Sequence, residues 1–274
     1  MKNNESIKEY AKVQYKNHQN LNNRMNLWSY GSNPVTLQEW IFNKIQLKED
    51  ENVLELGCGT GELWLENYRN IPSSCSITLS DFSEKMLTRA KANLKSLDLP
   101  IKFEIINAEE IPYPNQIFDV VIACHMLYHV PNLEKTLLSI SRVLKPNSRF
   151  ITTTVSQKHI QELTDFLSKF GLSSGFREEK SQFFGEFRNE TGREILKPFF
   201  RDIELFEYIN PVNITFISPL MNYIDSMFPK EYYPNYRSIR SQIEDAISKI
   251  IEKKSKFTIT GITGLFKSKK INSL

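Results

Sequence analysis

The sequence predicts an α/β protein built on a parallel β-sheet, and three observations lead to that prediction. Segments with strand-like and helix-like spacing of apolar residues alternate five times. Of the 274 residues, 40% are hydrophobic and 24% are charged, which is typical of a globular chain able to bury a sizeable core. The run from Val120 to Ala123 is wholly apolar, as in a central strand covered on both faces. Such alternation favours right-handed crossovers with helices packed against the sheet.

The first half of the chain has a regular order of strands and helices. Val53 to Gly57 is the first predicted strand, and it leads into a glycine turn. Ser83 and Asn132 are predicted to cap two of the following helices, because their side chains accept hydrogen bonds from the free amides of a first helical turn. The other strands predicted in this half are residues 76–80, 101–106, 118–123 and 149–155.

The second half is less regular, and we interpret it as the far edge of the same sheet together with a helical cap. Helices are predicted near 160–170, after Thr191, and twice between 217 and 254. Strands are predicted at 202–208, at 212–216 and at 257–266, the last one broken at Gly261 and Gly264.

This interpretation predicts two parts of the chain. Residues 1–48 form an N-terminal helical segment over the ligand site. Residues 49–274 form one domain with cap insertions near 177–200 and 217–254.

Composition argues against several classes of partner. The 35 basic and 32 acidic residues leave a formal charge of +3 without a basic stripe, so no nucleic-acid partner is expected. No apolar run is long enough to span a membrane, and the first residues lack the apolar core of a secretory signal, so we expect a cytoplasmic protein. The three widely spaced cysteines indicate neither a disulfide framework nor a zinc site.

A glycine-rich loop follows the first predicted strand. In the segment from Gly57 to Gly61, the missing side chains at alternate positions let backbone amides approach a ligand closely. The spacing is GxGxG, whereas a dinucleotide-binding loop has its last glycine one residue later, where Glu62 stands. A carboxylate there would repel a pyrophosphate.

Two acidic residues define the ligand further. Glu55, two residues before the first glycine, can hold an ammonium group or orient the loop. Asp81, at the end of the second strand, is placed to accept hydrogen bonds from both hydroxyls of a ribose. Together with the loop, they predict a pocket for a nucleoside that carries an amino acid.

These motifs resemble those of the class I S-adenosylmethionine (SAM) dependent methyltransferases. The segment from Val53 to Gly61 is similar to the first motif of that family, and Leu79 to Ser83 with Met86 is similar to the second. The resemblance covers residues 50–156. It implies SAM as cofactor and a Rossmann-like, mostly parallel sheet of seven strands in the order 3-2-1-4-5-7-6, with helices on both faces.

The chain departs from the family pattern at two places. The family more often has Asp at the position of Asn107, although an amide also accepts a hydrogen bond. In the turn before the fifth strand, Asn147-Ser148 replaces the usual Gly-Gly, and Asn tolerates left-handed backbone geometry.

The resemblance also implies the residues of the site. We expect the acceptor to contact Trp28, Tyr128 and His129. We predict no metal site, because His125 and His129 have the spacing of metal ligands but no carboxylate completes a HExxH motif. The residues expected at the cofactor are Glu55, Gly57, Cys58, Gly59, Gly61, Asp81, Phe82, Met86, Asn107, Ala108, Glu109, Cys124, His125, Tyr15 and Tyr30.

The implied reaction is methyl transfer from SAM to an oxygen, nitrogen or carbon nucleophile of a small molecule. It requires in-line approach and exclusion of water, and a general base only if the nucleophile arrives protonated. His125 follows the central strand, so it is the candidate catalytic base, or it packs beside the methionine part of SAM. Two alternatives stay open. One is a SAM-binding protein that does not methylate, either a regulatory binder or a cyclase or lyase that releases methylthioadenosine. The other, less favoured by Glu62, is an NAD-dependent oxidoreductase.

Overall fold

The computed structural model describes residues 26–97, 99–172, 187–228, 233 and 235–271. The chain divides into two compact units. The sheet unit comprises Val35–Ser156, Glu186–Tyr208 and Thr263–Leu274, and the helical unit comprises Met1–Pro34, Gln157–Gly185 and Ile209–Ile262. The predicted domain boundaries, and the role of the second-half helices as a cap, stay a prediction.

Seven strands form one sheet in the order β3-β2-β1-β4-β5-β7-β6, which confirms the predicted fold class and strand order. The first five strands pair in parallel, and β7 pairs antiparallel with β5. Residues of β6 and β7 belong partly to each unit. The strands are β1 (Asn52–Leu56), β2 (Ser76–Asp81), β3 (Ile101–Ile105), β4 (Phe118–Cys124), β5 (Leu144–Val155), β6 (Phe200–Ile214) and β7 (Phe257–Lys270).

The described helices connect these strands or belong to the helical unit. No described helix combines the length and the apolar composition that crossing a bilayer requires. Those of the sheet unit are α1 (Leu37–Ile45), α2 (Glu62–Asn67), α3 (Glu84–Leu94), α4 (Leu133–Val143) and α6 (Gly192–Leu196). Those of the helical unit are α5 (Gln161–Ser168), α7 (Ser218–Met227) and α8 (Tyr236–Lys254).

The two predicted helix caps have different outcomes. The Asn132 side chain accepts a hydrogen bond from the Lys135 amide at 2.9 Å, which confirms the cap of α4. Ser83 does precede α3, but its side chain makes no capping bond, so that prediction was wrong. The Ser83 amide instead donates to Asp81 Oδ1 at 2.8 Å, so the preceding carboxylate anchors the turn.

Both faces of the parallel strands are covered by apolar packing. Val121 packs on one face in the cluster that contains the α4 residue Ile140. Val120 and Ile122 pack on the other face in the cluster that contains Trp64 of α2. Because neighbouring residues of a strand point to opposite faces, a fully apolar run requires cover on both sides. The prediction of a doubly covered central strand is confirmed.

Three breaks predicted in the second half are absent from its strands. Residues 202–208 and 212–216 were expected as separate strands, but β6 runs without interruption through Pro211, whose carbonyl accepts from the Ser32 amide at 2.8 Å. Proline lacks an amide donor but keeps its acceptor, so it is tolerated where only the carbonyl is paired. Gly261 and Gly264 do not break β7 either.

Side chains lie directly over these two glycines. A Cβ at Gly261 would lie 2.6 Å from a ring carbon of Trp28, and a Cβ at Gly264 would lie 2.1 Å from Asn189 Oδ1. The two glycines therefore make room for neighbouring side chains within a continuous strand.

The helical unit has its own core. Met221, Ile224 and Met227 of α7 pack there with residues of α5 and α8, so within the described residues this apolar face is core packing. An ion pair joins α7 to α8, where Arg240 Nε and Nη2 donate to the two carboxylate oxygens of Asp225 at 2.8 and 2.9 Å. Such a bidentate pair fixes the relative position of the two helices.

Candidate active site

The glycine loop lies between β1 and α2 and has the backbone geometry that glycine permits. The φ angles of Gly57, Gly59 and Gly61 are 70°, 58° and 81°, a region that other residues enter only with strain. A Cβ at Gly57 would lie 2.9 Å from Met126 Cβ, whereas a Cβ at Gly59 would meet nothing within 4 Å. Gly57 thus permits close packing, and Gly59 borders open space that a ligand can fill.

Asp81 connects the end of β2 to this loop. Its Oδ2 accepts a hydrogen bond from the Gly59 amide at 3.0 Å, and its Oδ1 accepts from the Ser83 amide at 2.8 Å. Burial raises the pKa of this carboxyl, while the two backbone hydrogen bonds oppose that rise. The structure therefore brings together the carboxylate and the loop that the sequence assigns to one ligand.

An apolar surface adjoins Asp81. Phe82 follows it in the chain and is 65% exposed, and Ile105, which pairs with Asp81 across β2 and β3, is 57% exposed. A planar ring such as adenine suits an aromatic side chain in this position.

The segment after β3 is a tight turn fixed by its own side chains. Asn107 Oδ1 accepts from the Glu109 amide at 3.1 Å, and Glu109 Oε1 accepts from the Asn132 amide at 3.0 Å. Ala108 between them is buried. Because β2 and β3 are parallel and paired, this turn follows the same end of the sheet as Asp81.

Glu55 has a partner that sequence reasoning missed. Its carboxylate is only 3% exposed, and its Oε2 accepts a hydrogen bond from Trp64 Nε1 at 2.6 Å. Desolvation raises the pKa of Glu55 to about 7, the bond from Trp64 opposes the rise, and the charge of Asp81 adds to it. The sequence offers one signal for this pair. A buried tryptophan needs a hydrogen-bond acceptor for its indole N–H, and Glu55 lies nine residues before Trp64.

His125 lies just beyond β4 in left-handed geometry, with φ at 52°. Its amide donates to Thr153 Oγ1 at 3.0 Å, which ties it to β5. Its Nε2 is buried and has no hydrogen-bond partner among the described residues. Burial lowers the pKa of the imidazole to about 4, so the ring is neutral near neutral pH and its Nε2 is available to a ligand.

Aromatic rings continue from His125 along the next turn. The ring of Tyr128 is buried, and its centroid lies 6.4 Å from that of His125 and 4.5 Å from that of His129. His129 therefore packs against Tyr128, and its contact with the acceptor stays a prediction.

Cys58 and Cys124 carry thiols with raised pKa values. Burial is the main cause at both positions, and the negative charge of Glu55 adds to it. A nucleophilic cysteine needs a lowered pKa, so both thiols are better suited to packing than to covalent chemistry. Met86 is buried in the first turn of α3.

Three further aromatic residues, Tyr15, Trp28 and Tyr30, were predicted to contact the cofactor or the acceptor. Tyr15 lies outside the described residues. Trp28 and Tyr30 belong to the helical unit, where Trp28 packs against His159 with ring centroids 5.2 Å apart and Tyr30 packs edge-on against Phe216 at 5.5 Å. Their contact with cofactor or acceptor stays a prediction.

The described groups fit SAM chemically. The open space at Gly59, the Asp81 carboxylate and the exposed Phe82 ring can receive an aminoacyl chain, a ribose and a base, respectively. The buried carboxylate of Glu55 has no cation among the described residues, and the ligand carries an ammonium group. SAM would thus be held by the ends of β1 and β2 and by the turn after β3.

Comparisons with known proteins give the family. A family model described as a methyltransferase domain matches residues 47–195, more than half of the chain. The ubiquinone/menaquinone biosynthesis C-methyltransferase UbiE of Psychromonas ingrahamii is 30% identical over 177 residues, which are 60% of this chain and 70% of that protein. The protein of the same name from Rickettsia bellii is 34% identical over 154 residues, which are 54% of this chain and 60% of that protein.

A solved structure agrees with the fold. Phosphoethanolamine N-methyltransferase 2 of Haemonchus contortus, in complex with phosphomonomethylethanolamine and S-adenosylhomocysteine, aligns with a TM-score of 0.55 at 20% identity. The alignment covers 86% of this chain and 52% of that chain. Together with the match of the family model, these findings show that the chain belongs to the class I SAM-dependent methyltransferases.

Proposed function

We propose that this protein transfers a methyl group from SAM to an oxygen, nitrogen or carbon nucleophile of a small molecule. The observation that carries the proposal is the hydrogen bond between Asp81 Oδ2 and the Gly59 amide, which joins a ribose-binding carboxylate to an open glycine loop. Family membership supports the reaction class. The free cysteines favour a reducing compartment, so we also propose a cytoplasmic location.

SAM, when bound, supplies an electrophilic methyl group on a sulfonium. The amides of the glycine loop would hold the aminoacyl chain, Asp81 the ribose, and the turn at Asn107 the base. His125 Nε2, neutral and without a partner among the described residues, would orient an acceptor hydroxyl or ammonium and accept its proton. Thr153 holds the His125 backbone in place for this role.

The curated relatives suggest where to look for the acceptor. These relatives are named as C-methyltransferases of ubiquinone and menaquinone biosynthesis, and the aligned segment covers 60 to 70% of their length. A carbon acceptor on an activated ring is therefore the first class to test.

Titration calorimetry with S-adenosylhomocysteine tests the site. The wild type should bind, and Asp81→Ala should bind at least about a hundredfold more weakly, because two charge-assisted hydrogen bonds to the ribose are worth about 1.5–3 kcal/mol each. Asp245→Ala, an exposed aspartate of α8, is the matched control and should bind like the wild type.

Three results would contradict the proposal. They are the absence of S-adenosylhomocysteine binding by the wild type, unchanged binding in Asp81→Ala, and a thermal shift with NADH but none with SAM. Release of methylthioadenosine from SAM would instead identify a cyclase or lyase.

A further inference from the structure

The indole of Trp64 holds one oxygen of the Glu55 carboxylate. Trp64 is fully buried, Glu55 is 3% exposed, and the indole Nε1 donates a hydrogen bond to Glu55 Oε2 at 2.6 Å. The other carboxylate oxygen, Oε1, has no hydrogen-bond partner among the described residues. A single neutral donor therefore fixes the carboxylate, which keeps the capacity to bind a second group.

The position of Trp64 is fixed by the glycine loop and by apolar packing. Helix α2 begins directly after Gly61, and the Trp64 amide donates to the Gly61 carbonyl at 3.1 Å. The Trp64 ring packs edge-on against Phe42 of α1, with ring centroids 6.4 Å apart. Because packing already holds the indole, its N–H can orient Glu55 with little further loss of conformational entropy.

No cationic group faces the Glu55 carboxylate within the described part of the chain. The titratable groups around it are Asp81 at the end of β2, Cys58 in the glycine loop and Cys124 at the end of β4. Burial raises the pKa of both thiols, so they stay neutral, and the negative charge of Asp81 disfavours that of Glu55. A buried carboxyl group in these surroundings needs either a proton or a cationic ligand.

The hydrogen bond from Trp64 acts on the balance between these two states. Desolvation raises the pKa of Glu55 to about 7, and the bond from Trp64 opposes the rise. A donor binds a charged acceptor more strongly than a neutral one, so the indole favours the carboxylate over the acid. Since an ammonium group pairs with the carboxylate, the indole increases the fraction of the protein that is ready to bind such a ligand.

We propose that Trp64 is a positioning residue for the cofactor, whose indole holds Glu55 as an oriented carboxylate for the ammonium group of SAM. The inference rests on the proposed function. Binding makes and breaks no covalent bond other than that of one proton, which the acid form of Glu55 releases to water while the ammonium group keeps its own. The affinity for a ligand with the ammonium group therefore rises with pH and levels off above about pH 7.

Titration calorimetry of the full chain with S-adenosylhomocysteine and with methylthioadenosine, between pH 5.5 and pH 8, tests the pairing. Both ligands carry the base and the ribose, so titration of Asp81 affects them alike, and only S-adenosylhomocysteine carries the ammonium group. The preference of the wild type for S-adenosylhomocysteine should rise about thirtyfold over this range, which is the change in the ionised fraction of a group that titrates near pH 7. A preference that does not change with pH would overturn the inference.

Trp64→Phe keeps an aromatic ring in the core but removes the donor. This variant should bind S-adenosylhomocysteine at least about tenfold more weakly than the wild type at pH 6.5, and the rise in affinity should move to higher pH. Its affinity for methylthioadenosine should not change. Equal weakening of both ligands would show that Trp64 has only a structural role.

Trp40→Phe is the matched control. It makes the same substitution in α1, where the ring packs against Tyr208 with centroids 5.5 Å apart. This variant should bind S-adenosylhomocysteine like the wild type at every pH. A loss equal to that of Trp64→Phe would contradict the role assigned to the Trp64 indole.

NMR spectroscopy of the wild type tests the same role if Trp64→Phe does not fold. The chain has three tryptophans, so the indole N–H signal of Trp64 is the one that persists in both Trp28→Phe and Trp40→Phe. It should shift with a midpoint near pH 7 in the free protein, and S-adenosylhomocysteine at pH 6 should move it to its alkaline position. A signal that responds to neither pH nor ligand would overturn the assignment.

Failure of this inference is distinguishable from failure of the proposed function. A wild type that binds S-adenosylhomocysteine with a preference independent of pH loses only the role of Trp64. A wild type that binds neither S-adenosylhomocysteine nor methylthioadenosine loses the proposed function as well.

Discussion

Replacing Glu55 with glutamine should stabilise the unliganded protein at alkaline pH and leave its stability in acid unchanged. The carboxylate is buried at the end of β1, and desolvation raises its pKa from 4.5 to about 7. An amide of the same shape carries no charge. Its oxygen can still accept the hydrogen bond that Trp64 Nε1 donates at 2.6 Å.

The sign and the size of the effect follow from this pKa. Between pH 4.5 and about 7 the folded protein binds more protons at Glu55 than the unfolded chain does, so the free energy of unfolding falls as the pH rises. Each pKa unit is worth about 1.4 kcal/mol, so the wild type should lose about 3 kcal/mol, and the loss is complete above pH 7. Glu55→Gln is free of this loss.

Urea denaturation followed by circular dichroism at pH 4 and pH 8, without ligand, measures the difference. Glu55→Gln should exceed the wild type by about 3 kcal/mol at pH 8 and match it at pH 4. Glu84→Gln, an exposed glutamate in the first turn of α3, is the control and should change the stability by less than about 0.5 kcal/mol at either pH. The reasoning is refuted if Glu55→Gln is no more stable than the wild type at pH 8.

Three further predictions concern the same edge of the sheet. The imidazole of His125 should not titrate above about pH 5, because burial lowers its pKa to about 4. An NMR titration checks this, with the His125 signal assigned by its loss in His125→Asn. A midpoint near pH 6.5 would show that the ring is solvated. Gly57→Ala should lower the melting temperature more than Gly59→Ala. Both glycines have a positive φ, so both substitutions strain the backbone, but only a Cβ at Gly57 would also approach Met126 Cβ, at 2.9 Å. Gly59→Ala should instead abolish binding of S-adenosylhomocysteine by filling the open space, and undiminished binding would show that no ligand approaches there.

The parallel sheet was predictable because its signals are local. Each strand and its following turn lie within a few consecutive residues, as in the run from Val53 to Gly61. The apolar run from Val120 to Ala123 can be buried only in a strand covered on both faces, which determines its central place. Asn147 lies within β5 and not in a turn before it, but its φ of 61° agrees with the expectation that Asn tolerates left-handed geometry there.

Contacts between distant residues were not predictable in the same way. The split of β6 and the breaks in β7 were inferred from the local preferences of proline and glycine, but tertiary packing overrides these preferences. Trp28 over Gly261 and Asn189 over Gly264 come from segments that no spacing rule connects to β7.

The distribution of buried charge in the sheet unit argues for a ligand that carries a positive charge at one edge. At the amino end of β1, Glu51 is paired bidentately with Arg149 at 2.8 and 2.7 Å. Near the carboxyl end of β1, the side chain of Glu55 is buried without an opposite charge among the described residues. A strand that pairs Glu51 with an arginine at one end has no structural need of an unpaired Glu55 at the other. The ammonium group of SAM complements the charge of Glu55, so the cofactor would stabilise the edge where the reaction takes place.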